Sequence, residues 1–86
     1  MSVIVIDKPM SEHAREVEEY LHEFERRTSK KLEVVDPDTR QGADLCRVYD
    51  VVEYPTLLAL SEDRQLRNMW RVLPMPLIDE VSYYVQ

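Results

Sequence analysis

The 86-residue sequence has one cysteine, one glycine and no run of apolar residues longer than about five. Each shortage excludes something. A single cysteine cannot close an internal disulfide, which fits a reducing compartment. Five apolar residues fall far short of the roughly 20 that a membrane-crossing helix needs. The opening Met1-Ser2-Val3-Ile4-Val5-Ile6-Asp7 lacks the basic start and long apolar stretch of a secretion signal. Basic residues are outnumbered 11 to 17 and the formal net charge is -6, so neither a phosphate backbone nor an anionic membrane surface would attract the chain. The expectation is a cytoplasmic protein that binds neither nucleic acid nor membrane. There is no repeat, linker or low-complexity tract, and residues 1–86 read as one domain.

What is present is regular. Val3 to Ile6 is an apolar, β-branched run suited to a strand buried on both faces. Ser11 reads as a helix N-cap, with Glu12 in the first turn. Ala14, Val17, Tyr20, Leu21, Phe24 and Thr28 then form one stripe, opposite a row of glutamates, and Arg26, Arg27, Lys30 and Lys31 close the helix. Leu32 to Val35 reads as a second strand, stopped by Asp36-Pro37-Asp38. A second helix should turn Leu45, Val48, Tyr49 and Val52 inward. Thr56 to Leu60 and Leu66 to Val72 suit a hairpin of two strands across a polar turn. Leu77, Ile78, Val81, Tyr84 and Val85 mark a last helix, with Pro76 in its first turn. The order β-α-β-α-β-β-α calls for a mixed four-stranded α/β sheet, its first two strands parallel, with helices on both faces.

Two motifs give that order a family likeness. Tyr49-Asp50-Val51-Val52-Glu53-Tyr54-Pro55-Thr56-Leu57-Leu58 resembles the thioredoxin segment that leads into Pro-Thr. Lys8-Pro9-Met10-Ser11-Glu12-His13-Ala14 resembles the glutaredoxin stretch Lys-Pro-x-Cys-Pro-Tyr-Cys. The chain is thus similar to the thioredoxin superfamily over nearly its whole length, without the extra N-terminal strand and helix of thioredoxins. The likeness implies a thioredoxin-like fold and a cis bond before Pro55. It places Ser11 and Ala14 where the two active-site cysteines would stand. Disulfide exchange needs a thiolate, and a serine hydroxyl neither ionises near neutral pH nor forms a mixed disulfide. The glycines that hold glutathione in many glutaredoxins are missing too; Arg71-Val72-Leu73-Pro74-Met75 stands there instead. Disulfide oxidoreductase activity is not expected.

Four further residue types could carry chemistry: cysteine, histidine, serine and lysine. Cys46 reads as a small side chain at the core edge, with a reactive thiol as the alternative. His13 with Glu16, or Glu18 with His22, has chelating spacing but no third ligand, so no metal and no cofactor is expected. Ser11 lacks a nameable base and oxyanion partner. Lys8 resembles the glutaredoxin lysine near the thiolate and the glutathione carboxylate, and is a possible anion contact. The likeness would bring Met10, Ser11 and His13, Tyr54, Pro55 and Thr56, and Leu73 and Met75 to one surface. Thioredoxins grip an extended polypeptide there by strand addition. The expectation is a redox-inactive adaptor for another protein, monomeric or weakly dimeric. The alternatives are an enzyme acting on a small thiol or anion through Cys46 or Lys8, and a self-associating subunit.

Overall fold

In the computed structural model, which describes residues 2–71 and 73–85, the sheet is four-stranded with order β2-β1-β3-β4. The elements are β1 (Ser2–Ile6), α1 (Ala14–Thr28), β2 (Glu33–Val35), α2 (Arg40–Tyr49), β3 (Thr56–Leu60), β4 (Leu66–Arg71) and α3 (Ile78–Ser82). β1 pairs in parallel with β2 and antiparallel with β3, which pairs antiparallel with β4. The two central strands are the apolar runs of the sequence. Every residue of β3 is buried, as is β1 from Val3 onward.

Alternation along those strands divides the core. Val3, Val5, Leu57 and Ala59 meet Val17 and Phe24 of α1 and Ile78 and Val81 of α3 on one face. Ile4, Ile6, Leu58 and Leu60 meet Val35, Val51 and Leu45 of α2 on the other. Each fully buried Leu, Ile or Phe contributes about 1.5–3 kcal/mol relative to leaving it in water, so both layers are needed. α1 ends at Ser29, which adopts a left-handed conformation (φ 59°) and returns its N–H to the Glu25 carbonyl. α2 starts at Thr39, whose hydroxyl accepts from the Gly42 N–H, and ends at a left-handed Asp50 (φ 57°).

The boundaries correct the sequence reading in four places. Ser11 is not the cap of α1; the helix starts three residues later, with His13 at the N-cap. Val48 and Val52 are 66% and 73% exposed, because α2 turns Gly42, Leu45 and Tyr49 inward and has ended before Val52. Leu77 is the N-cap of α3 and 70% exposed, which leaves Pro76 just outside the helix. α3 ends at Ser82, so Tyr84 and Val85 pack against the core from beyond the helix rather than on it. Val72, read as the end of β4, lies outside the described residues.

Gly42 is buried for want of space. A β-carbon there would stand 1.9 Å from the Asp36 carbonyl oxygen and 2.7 Å from the Pro37 Cα. The first turn of α2 therefore presses directly on the backbone that leaves β2.

Candidate functional site

One row of the sheet brings the candidate loops together. Val35 of β2 pairs with Ile6 of β1, Ile6 with Thr56 of β3, and Thr56 with Arg71 of β4. The segments that follow β1, precede β3 and follow β4 therefore leave the sheet at the same end. The register of the sheet, rather than any local motif, gathers them.

The segment after β1 is built around a buried carboxylate. Asp7 donates its N–H to the Val35 carbonyl (3.2 Å), and its side chain is 6% exposed. Its Oδ1 accepts a hydrogen bond from His13 Nε2 at 2.8 Å. The imidazole is thus turned back toward β1 and makes no side-chain cap on α1. Ser11 sits in the turn between them, where its N–H donates to the Lys8 carbonyl and its own carbonyl accepts from Ala14. The Ser11 hydroxyl is buried without a hydrogen-bond partner, so no general base touches it. Met10 stands 95% exposed at the tip.

The segment before β3 contains a cis Tyr54–Pro55 bond. Pro55 and Thr56 are fully buried, and the Thr56 hydroxyl donates to the Glu53 carbonyl at 2.7 Å. Val52 and Glu53 are exposed here and Tyr54 is half-buried, with the Lys8 ammonium 5.5 Å from its ring centroid. That distance is within cation–π range. Tyr54 and Cys46 pack against the same α2-side core layer, and the Tyr54 phenol is pushed up by burial and then by the neighbouring Cys46 thiol. Periodicity along α2 gives Cys46 a place on the helix but not this neighbour, which only the crossing of α2 over the end of β3 supplies.

The segment after β4 has a second cis bond, Leu73–Pro74. Leu73 is 36% exposed. Met75 packs against the layer that α1 and α3 form, the opposite face of the sheet from the one holding Tyr54. The candidate residues thus share one end of the molecule but divide into two groups. Lys8 joins Tyr54, and Met75 joins Tyr20 and Ile78 along a shallow groove.

Chemically, the surface holds an exposed thioether, a phenol, an ammonium and a buried Asp–His pair. Among the described residues no group of three His, Cys, Asp or Glu side chains could hold a metal ion. No helix among them is long and apolar enough to cross a membrane.

Comparison with known proteins places the architecture. The chain is similar to the structure of thioredoxin 1 from the thermophilic eubacterium Thermosipho africanus, with a TM-score of 0.65 and 13% identity, over 99% of this chain and 90% of that one. The fold is thioredoxin-like. No protein-family model and no curated protein sequence matches the chain.

Proposed function

We propose that this thioredoxin-like chain is a redox-inactive module that binds another protein at the loop end of its sheet, through Met10, Tyr54 and Leu73 with Lys8 beside them. The observation that carries the reading is Met10. A methionine 95% exposed, two residues along the chain from the lysine that stands over the Tyr54 ring, is a surface with little structural use and good adhesive chemistry. Ser11, Pro55 and Thr56 are too enclosed to contribute side-chain contacts, so they shape the surface rather than touch the partner. Position 11 offers a hydroxyl with no base, where exchange chemistry would need a thiolate. One free cysteine suits a reducing, cytoplasmic setting.

Two measurements test this. Capture from a lysate of the source organism should recover a partner on the wild type and about fivefold less on Met10→Asp, a variant whose exposure spares the fold. Equal recovery would move the interface elsewhere. Dithiol-driven reduction of insulin should run no faster with the protein than without it. A faster rate that Cys46→Ser abolishes would replace the adaptor reading with a one-cysteine enzyme, since Cys46 lies beside Tyr54.

A further inference from the structure

We propose a second docking face, separate from the proline loop: the groove between α1 and the edge strand β2 takes an extended basic segment of a partner protein by strand addition. The groove encloses about 440 Å³. It is lined by Ala14, Val17 and Leu21 of α1 and Val34 of β2, together with the Glu18 and Asp36 carboxylates and, from the segment after β1, Pro9 and the His13-paired Asp7. Val34 pairs with Val5, so its side chain lies on the α1 face of the sheet, yet it remains 49% exposed. The apolar stripe of α1 covers Val5 and stops short of the last strand.

The backbone beside that groove is unpaired in the same place. β2 ends the sheet, so one of its edges has no neighbour. Val35 accepts the Asp7 N–H and therefore turns its N–H and C=O toward β1. Successive residues of a strand address opposite edges, so the N–H and C=O of Val34 point outward. An added strand would find one donor and one acceptor there, next to the apolar side chains of the groove. β2 is only three residues long and begins with Glu33, a combination that discourages indiscriminate edge pairing. Specificity must then come from side chains.

Charge selects the occupant. Among the described residues no Lys or Arg lines the groove, and Glu18 makes no ion pair. Asp36 gives one oxygen to the Asp38 N–H (2.8 Å) and keeps the other. A second copy of this chain would bring another net -6 and another Glu33 to the edge, which like-charge repulsion disfavours. Asp36 follows Val34 by two residues and so shares its face. The matching ligand carries an apolar and a basic residue two apart: the first over Val34 and Leu21, the second between Asp36 and Glu18.

The test is an NMR titration of the nitrogen-labelled full chain with two capped peptides, Thr-Leu-Thr-Lys-Thr and its reverse, covering both strand directions. At least one should shift the amides of Val34, Leu21 and Glu18. Replacing its lysine with glutamate should abolish the shifts, and N-methylation of the peptide backbone should weaken them. Glu18→Gln combined with Asp36→Asn, which keeps the Asp38 contact, should reduce affinity roughly tenfold. The proposal is overturned by no shifts at millimolar peptide, by equal shifts with the glutamate peptide, or by shifts confined to Met10 and Tyr54. Val34 shifts that track protein concentration without peptide would identify a second copy as the occupant and overturn it as well.

Discussion

The Tyr20 hydroxyl is enclosed with no hydrogen-bond partner, on a helix that otherwise turns apolar atoms to the core. Burial first, and then the charge of Glu80, pushes its pKa up to about 12. A raised value means that the native state favours the protonated phenol. The contribution is therefore fully present below the ordinary value of about 10 and is lost as pH rises from about 10 to about 12. Tyr20→Phe removes both the unpaired hydroxyl and this dependence. Its stability at neutral pH should equal the wild type or exceed it by up to about 1 kcal/mol. The variant's advantage should widen above pH 10. Urea unfolding of the two proteins at neutral and alkaline pH measures this, and a marked loss at neutral pH would mean that the hydroxyl is bonded after all.

At the scale of elements, the tightest junction is α2 against the segment leaving β2. Alanine at position 42 would gain about 1 kcal/mol of helix propensity over glycine. It would also drive a β-carbon to 1.9 Å from the Asp36 carbonyl, a backbone atom that cannot swing aside. Overpacking costs about 1–3 kcal/mol, occasionally more, so the clash wins and Gly42→Ala should lower the melting temperature. An unchanged or higher melting temperature would show that α2 slides freely on this loop. The elements themselves were legible where periodicity is strong: the apolar runs of β1 and β3, the stripe of α1 and the β3–β4 hairpin all stand where the residues place them. The starts and fringes were less so. α1 begins at Ala14 rather than after Ser11 because Asp7 draws His13 back across six residues, a contact that local pattern does not encode. Val48 and Leu77 fit their helical stripes and yet face solvent, since a stripe does not say how wide the opposing layer is. Of the candidate site, the likeness to the thioredoxin superfamily implies three loops at one end, and the sheet register brings them there. The likeness did not divide Met75 from Tyr54, because their layers depend on which face each chain segment crosses.

For the whole molecule, the sheet order sets what can fold alone. β1 lies between β2 and β3, and the layer over Phe24 is completed by Leu57, Ala59, Ile78 and Val81. A fragment of residues 1–55 keeps the parallel pair and loses every antiparallel partner, together with part of both layers. It should show no dispersed amide spectrum. A folded fragment would mean that the β1–α1–β2 unit is stable without the hairpin.

The same order has a consequence for biosynthesis. β1 leaves the ribosome well before β3, the antiparallel partner beside it at the centre of the sheet. At translation speeds of 5–20 residues per second, the stretch from Ile6 to Thr56 takes roughly 3–10 s to appear. α1 can form within about a microsecond of emerging. For those seconds an apolar strand waits without its partner beside a glutamate-rich helix, whose like charge disfavours contact between neighbouring nascent chains.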